Sequence, residues 1–428
     1  MRISACVITK NEEKNLPRWL NCMKRVADEV IVVDTGSEDE TVHIARASGA
    51  KVFFFQWMDD FSAAKNFAIE KATGDWILFL DADEYFLDED CSRVRAVFEN
   101  YYEVFEVAGL IFHMVNIDME TGKILGGDGG SLRGFRNCHW LRYEGNVHER
   151  LEDVSEEKIG KGKVMQYIQD ITVYHTGYTQ SGMEAKMRRN LALLEKLQAE
   201  GKGRDMDAVY LTDCYYGLGE YEKAIASARE AIRLGVEPIG LTNRPYTILI
   251  QSMLLTGRPE EEIRETLAAA VKKYPQAAEY QMFWGMFDWD RRDYEGAQRH
   301  FLKGLDLRHA ASLGTAKDAM VQDNSADLLP TACYCLGELA GKRGRQQEAA
   351  GYLLESLKLK CRSTHALRAY CRLFGDASAG ELARVLRNLY ETGDDREFLV
   401  QNLQELGMEK TLVALGNAGN KDCTKNES

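Results

Sequence analysis

Three acidic side chains crowd into the stretch DWILFLDADEYF at residues 75–86: Asp81, Asp83 and Glu84. Carboxylates packed this tightly repel one another, and burying them without a counter-charge costs several kcal/mol or more. Oxygen ligands of this kind suit a hard divalent ion, Mn²⁺ or Mg²⁺. Such an ion takes one or two protein carboxylates and fills its other positions with water and substrate phosphates. The chemistry on offer is therefore the capture of a cation and, through it, of a pyrophosphate. On a strand leaving a sheet, residues two apart point the same way, so Asp81 and Asp83 are expected to face one point. A D-x-D triplet also arises by chance as a solvated turn. The element in front of it decides between the two readings.

That element, residues 77–80, is a short apolar run of the kind that forms a buried strand. Similar runs precede it: ISACVIT at 3–9, EVIVVD at 29–34 and KVFFF at 51–55. Between them lie helical patterns, KNLPRWLNCMKRV, SEDETVHIARASG and FSAAKNFAIEKATG. The second has Ser37 as its expected N-cap, Glu40 at the capping-box position and Gly49 as its stop. Strand–helix alternation predicts a mostly parallel α/β sheet covered on both faces, with ligands beyond the carboxyl ends of the strands. Thr9, Asp34 and Asp81 all fall at that edge. Asp34 can accept from a base N–H or a ribose hydroxyl, or it can close a turn. No GxGxxG follows the first strand and no GxxxxGK[ST] occurs, so dehydrogenase and P-loop readings lack their motifs. Further on, FEVAGLIFHMVNI and DITVYHTGY read as strands and LGGDGGSLRGFRN as a glycine-rich loop. LRYEGNVHERLEDV is ambiguous between strand and turn.

A chain of 428 residues is too long for one ordinary core. Its formal net charge of -13 disfavours a nucleic-acid or anionic-membrane partner. No apolar stretch is long enough for a transmembrane segment, and the N-terminus lacks a signal-peptide core. The ten cysteines show no zinc spacing and read as reduced thiols, which predicts a cytoplasmic location. From about residue 180 the pattern turns helical and repetitive. Gly219, Gly257, Arg292 and Gly344 align as turns of tetratricopeptide-like helix pairs, the last step carrying an insertion at 311–326. The expected division is a catalytic domain at 1–180, a connecting helix at 181–205, repeats at 206–375, capping helices at 376–418 and a frayed tail at 419–428. Stacked helix pairs make a concave surface suited to an extended peptide, a protein partner or a second copy of the chain. Tyr215, Tyr216, Trp284 and Trp289 are candidates to line it or to pack its core.

Taken in order, ACVITKNEEKNLPRWL, DEVIVVDTGSEDETVHIA, DDFSAAKNFAIEKATGDWILFLDADE, FRN…YEGNVHERL and VYHTGY resemble a family 2 glycosyltransferase. The group in view carries tetratricopeptide repeats behind its catalytic domain and is similar to peptide S-glycosyltransferases and lipopolysaccharide-core glucosyltransferases. The resemblance implies a GT-A fold and inverting transfer of a hexose from a nucleotide-diphosphate sugar, with a UDP-sugar as first choice. It places Thr9, Glu12 and Asp34 around the nucleotide and Lys65 and Asn66 near the base or diphosphate. Asp81 and Asp83 hold ribose and metal (Mn²⁺ or Mg²⁺), and His175 is a further metal ligand. Single-displacement inversion also needs a general base. Glu149 is the candidate, with Asp153 and Glu144 as substitutes, and His148 would position the acceptor or bond a phosphate. Arg133 and Arg136 either contact the diphosphate or solvate a loop. Two rivals stand beside this reading. One is a peptide-binding scaffold with a degenerate front half. The other is nucleotidyl transfer, which lacks its glycine-rich basic loop here.

Overall fold

The computed structural model describes residues 1–118, 122–158, 160–177, 180–237, 241–312, 324–375 and 378–416. The chain divides into two compact units, Met1–Arg204 and Asp205–Ser428. The expected tail lies outside the described residues, as does most of the insertion.

The first unit is α/β. Its strands are β1 (Ile3–Thr9), β2 (Glu29–Asp34), β3 (Lys51–Phe54), β4 (Trp76–Phe79), β5 (Glu84–Tyr85), β6 (Val107–Ile117), β7 (Ile124–Arg136), β8 (Leu141–Glu144), β9 (Arg150–Asp153) and β10 (Val164–His175). Helices α1 (Leu16–Val26), α2 (Thr41–Ala47), α3 (Phe61–Lys71), α4 (Cys91–Asn100) and α5 (Gln180–Ala199) complete it. Eight strands form one sheet in the order β3-β2-β1-β4-β7-β6-β10-β5, and β8 pairs with β9 as a separate hairpin. The block β3-β2-β1-β4 is parallel, with Thr9 opposite Asp34 at its carboxyl edge. β7 runs antiparallel to both its neighbours, while β6 and β10 are parallel.

Side-chain alternation along β1 sets the two layers. Ile3, Ala5 and Val7 pack with Leu16, Trp19 and Met23 of α1 and with Val94 and Phe98 of α4. Cys6 faces the other way, into a core shared by Ala68 and Ile69 of α3 and Leu141 and Tyr143 of β8. The sheet is thus covered on both faces, as a parallel block requires.

Several local expectations give way. Ser37 does not cap α2: that helix starts at Thr41, whose N–H bonds Asp39 Oδ1 at 3.0 Å, and the Ser37 hydroxyl accepts from Asn11 N–H at 2.9 Å. The glycine-rich stretch expected as a loop is strand β7. There glycine serves close approach, since a Cβ at Gly130 would collide with the Tyr167 ring. Asp81 and Asp83 do not sit on an extended strand. β4 ends at Phe79, and a turn closed by Glu84 N–H to Asp81 O at 3.0 Å sends the two carboxylates to different partners.

The second unit is all-helical within the described residues, built from α6 (Asp207–Gly217), α7 (Tyr221–Leu234), α8 (Arg244–Leu255), α9 (Glu260–Lys273), α10 (Ala278–Asp290), α11 (Tyr294–Ser312), α12 (Leu329–Lys342), α13 (Gln346–Leu359), α14 (Thr364–Phe374), α15 (Ala379–Leu389), α16 (Gly393–Glu405) and α17 (Glu409–Gly416). Gly219, Gly257, Arg292 and Gly344 all have positive φ, between 63° and 75°, so one left-handed turn recurs inside successive helix pairs. Within the stretch expected to hold capping helices, α16 and α17 are separated by a left-handed turn at Gly407 (φ 68°). Tyr215, Tyr216, Trp284 and Trp289 are half-buried. Trp284 stacks on His300 with centroids 4.7 Å apart, and Trp289 meets Tyr294 and Tyr334, so both rings take part in packing.

At the edge remote from Thr9 and Asp34, Glu29 fastens the parallel block. It accepts from Ser4 Oγ (2.5 Å), Thr73 N–H (2.6 Å) and Lys51 Nζ (2.6 Å). Burial alone would raise this carboxyl. The bonds from Lys51, Ser4 and Thr73 outweigh it and hold the pKa down to about 2, from an ordinary 4.5. A depressed carboxyl stabilises the fold above its unfolded pKa and loses that contribution as pH falls towards the folded value. Urea unfolding of wild type and Glu29→Gln should therefore differ by about 3 kcal/mol near pH 6. The gap should close progressively between pH 4.5 and 2, and a pH-independent gap would contradict the assignment.

Candidate functional site

The carboxyl edge of the parallel block is laced together by side chains of the loops that follow it. Asp34, 2% exposed, accepts from Gly36 and Ser37 N–H at 3.1 and 3.0 Å and from Thr9 Oγ1 at 3.3 Å. Both carboxylate oxygens thus fix the turn. Asn11, at φ 59°, takes Glu38 N–H on its side-chain oxygen, and Glu12 N–H bonds Thr41 Oγ1 at 2.7 Å. A surface cleft is lined here by Asn11, Glu12, Asn15 and Asp39 among others. Partial burial raises the Glu12 carboxyl. The Asn15 amide pulls it down, and the nearby charges of Asp83, Asp39 and Asp81 push it up again. Glu12 therefore belongs to the same field as the D-x-D turn.

At the centre stands Lys65 on α3. Its side chain is 4% exposed, and its ammonium bonds Asp81 Oδ1 at 3.0 Å and Glu149 Oε1 at 2.7 Å. It lies 5.2 Å from the ring centroids of Phe79 and Tyr143. Burial would lower a lysine pKa, but the Asp81 and Glu149 carboxylates override it and raise it, so Lys65 stays charged. Arg133 of β7 reaches Asp81 Oδ2 at 3.3 Å and forms a short ion pair with Glu84. Burial works to raise the Asp81 carboxyl, and the two cations together hold it well below the usual range. Glu84 goes the other way: 1% exposed, it is pushed up by burial despite Arg133. Tyr143, 5% exposed, has a hydroxyl that meets no hydrogen-bond partner among the described residues, and burial pushes its pKa up to about 12.

Glu149 is delivered to Lys65 by the loop between β8 and β9. That loop is held against the start of α3, whose cap Asp60 accepts from Ala63 N–H at 2.9 Å. Phe61 N–H bonds Asn146 O at 3.0 Å and Ser62 Oγ bonds Gly145 O at 2.6 Å. His148 takes the left-handed backbone, φ 52°, and turns the chain into Glu149. Asn66 has a role the sequence did not suggest. Its amide donates to Tyr143 O and accepts from Tyr143 N–H, both at 2.9 Å, so it pins the hairpin to α3 and both its polar atoms are engaged there. Asp153 is occupied by Ser155 N–H and Gly160 N–H at 2.9 and 2.7 Å. Glu144 is exposed at the end of β8.

Asp83 meets His175 at the other side of the turn, with Oδ2 and Nε2 3.2 Å apart. Strand pairing causes this. β5 lies antiparallel to β10, with His175 opposite Glu84, and Thr176 N–H bonds Asp83 O at 3.0 Å. The second ring nitrogen of His175 sits 3.0 Å from Asn116 Oδ1, which fixes the ring. Arg18 bonds Thr176 Oγ1 at 3.0 Å and covers the Tyr85 ring at 4.0 Å. A Cβ at Gly177 would collide with Asp83 Oδ2 and come within 2.9 Å of His175 Nε2, so a glycine keeps the space around the pair open.

Of the three expected metal ligands, the structure brings Asp83 and His175 together, whereas Asp81 is held by Lys65 and Arg133. Among the described residues no group of three or more histidine, cysteine or acidic side chains is arranged as a metal cage. Two side chains with water and phosphate for the rest would suit Mg²⁺ or Mn²⁺, and the Asp83–His175 pair fits that role. Arg133, Glu84 and Tyr143 were not singled out from sequence as a unit. The glycine-rich stretch around Arg133 reads as a loop, and no local signal in it separates Arg133 from Arg136. Arg136 proves structural: it bonds Tyr101 O and Val107 O at 2.9 and 2.8 Å beneath the Trp76 ring.

Residues 4–122, which include Lys65, Asp81 and Asp83, match the family described as Glycosyl transferase family 2. A TPR repeat-containing protein of Synechococcus elongatus is 39% identical over 152 residues, covering 36% of this chain and 36% of its own. The SPbeta prophage-derived glycosyltransferase SunS of Bacillus subtilis is 30% identical over 199 residues, 46% of this chain and 44% of its own. The chain thus spans less than half the length of these curated relatives. Among solved structures, S. aureus TarS 1-349 matches at 16% identity and a TM-score of 0.34, covering 64% of this chain and 92% of that one. That likeness is too slight to carry a functional argument.

Glu84 and Arg133 supply a stability test independent of any substrate. Removing one partner of a buried pair leaves an uncompensated charge, at a cost of about 3–5 kcal/mol. Arg133→Met should lower the unfolding free energy from denaturant titration by that order, and Arg133→Met with Glu84→Leu should recover most of it. Equal losses in the single and double variants would show that the pair is not the cause.

Proposed function

We propose that the α/β unit transfers a hexose from a nucleotide-diphosphate sugar, in the first instance a UDP-sugar, to an acceptor hydroxyl or thiol with inversion at the anomeric carbon. The observation that carries the proposal is the Asp81–Lys65–Glu149 chain beside the Asp83–His175 pair, at the carboxyl edge of a family 2 domain. In this reading Thr9, Glu12 and Asp34 shape the nucleotide end, and Asp81 takes the ribose or metal side. Mn²⁺ or Mg²⁺, held by Asp83 and His175 and shared with Asp81, would neutralise the charge that grows on the leaving diphosphate. Glu149 accepts the acceptor's proton while the acceptor atom bonds to the anomeric carbon. The bond from that carbon to the phosphate oxygen breaks, its electron pair leaving with the diphosphate.

Local charge supports a cation-dependent donor. Asp81, Asp83, Glu84, Glu149 and Glu12 gather around Lys65 and Arg133, with Arg189 near Glu149, so an acidic field meets an anionic diphosphate and a further positive charge favours its entry. For the acceptor we favour a peptide or protein, because stacked helix pairs offer an extended binding surface and a relative is named for such repeats.

Wild type should hydrolyse a nucleotide sugar slowly with Mn²⁺ and Asp83→Ala should not, while wild-type behaviour of this variant would move the reading to a binding scaffold. Glu149→Gln should still bind the nucleotide saturably yet lose transfer by about 10²–10⁴-fold. Persistent transfer would place the base elsewhere. Gly177→Ala, which crowds Asp83 and His175 without altering a charge, should weaken Mn²⁺-dependent nucleotide uptake by about tenfold or more in calorimetry, and unchanged uptake would remove the pair from the cation site.

A further inference from the structure

One ammonium touches both the residue assigned to the donor and the residue assigned to the acceptor. Lys65 Nζ lies 3.0 Å from Asp81 Oδ1 and 2.7 Å from Glu149 Oε1. Its surroundings confine the ammonium to the short path between the two carboxylates. The side chain is 4% exposed, the Phe79 and Tyr143 rings flank it, and α3 behind it is fixed by the Asp60 cap and by Asn66. The two carboxylates differ in their other support. Asp81 also has Arg133 and its side chain is 40% exposed, while Glu149 has the Arg189 charge nearby and its side chain is only 16% exposed, so solvent can replace Lys65 more easily at Asp81. Asp81 can therefore give up Lys65 more readily than Glu149 can.

We infer that Lys65 is a shared counter-ion that couples the two sides of the cleft, passing from Asp81 towards Glu149 when a cation–nucleotide complex engages Asp81. This rests on the donor reading above. A cation beside Asp81 satisfies that carboxylate and repels the ammonium, leaving Lys65 to hold Glu149. Lys65 is thus a positioning residue that orients the base once the donor is present. Coupling of this kind is reciprocal. If Glu149 helps draw Lys65 away from Asp81, then removing the Glu149 charge leaves Lys65 committed to Asp81, and the nucleotide binds less well.

The test is a double-mutant cycle on affinity, read by calorimetry at one pH and salt concentration. The probe is whichever of UDP, GDP, CDP and dTDP binds most tightly with Mn²⁺. Glu149→Gln should weaken binding by about 3–10-fold in the wild-type background and leave it unchanged once Lys65 is Met. In the Lys65→Arg background, which keeps the cation, the weakening should return. Equal weakening in all three backgrounds would overturn the coupling while leaving the donor reading intact, and no uptake of any probe by the wild type would overturn both. Should Lys65→Met fail to fold, a second readout uses the native chain. The carboxyl carbon-13 signal of Glu149, assigned by its loss in Glu149→Gln, should shift when the nucleotide and Mg²⁺ are added. A signal unmoved at saturation would also overturn the inference.

Discussion

A buried positive charge among carboxylates is the constraint around which the first unit is arranged. An ammonium out of water is tolerable only with close counter-charges, and its counter-charges are tolerable only with it. Lys65 on α3 meets Asp81 behind β4 and Glu149 from the β8–β9 hairpin, so one side chain ties a helix, a sheet edge and a hairpin together. The helix suits this work because its buried face is small: Ser62, Ala64 and Ala68 let α3 approach the sheet closely enough for a lysine to end beneath the rim.

The two faces of the sheet divide the labour. On the α1–α4 side the core is aliphatic and aromatic, with Trp19, Trp76, Phe98 and Phe112 among its largest members. That side supplies the hydrophobic stabilisation that lets the other side hold charge. On the α3 side a smaller core of Cys6, Ala68, Ile69, Leu141 and Tyr143 is supplemented by polar groups that enter between the rings and fasten it by hydrogen bonds. Asn66 to Tyr143 and Ser62 to Gly145 are examples. The hairpin carrying Glu149 is thus placed by backbone bonds to α3, although it belongs to a different sheet.

Much of this was legible in the sequence because it depends on local rules. The bounds of β1 and β2 followed from unbroken apolar runs, and four recurring turns in the helical unit from the alignment of three glycines with Arg292. What resisted was set by partners far along the chain. Nothing local says that residues 84–85 form a strand against 174–175, yet that pairing alone brings His175 to Asp83. Glycines in β7 spoke for a loop, and only the packing of Tyr167 and Ile111 against Gly130 explains a strand there. The capping expectation for Ser37 failed because Asn11 competes for the hydroxyl across two loops. Asn66 looked like a ligand-facing amide, and its partner was a backbone segment 77 residues away.

Accessibility separates roles among side chains of one chemical type. Glu84 at 1% exposure is enclosed with Arg133, and no ligand can reach it without unfolding the turn. Glu149 at 16%, Asp83 at 26% and Asp81 at 40% are progressively more open, although Asp81 itself touches Arg133 of that enclosed pair. The enclosed end fixes the D-x-D turn in place, and the open end retains carboxylate surface for an incoming cation. An acidic turn left wholly solvated would have no fixed geometry to offer a ligand, and one wholly buried would offer no access. The cluster avoids both limits because Arg133 and Lys65 approach Asp81 from opposite elements, β7 and α3, and leave its outer face to solvent.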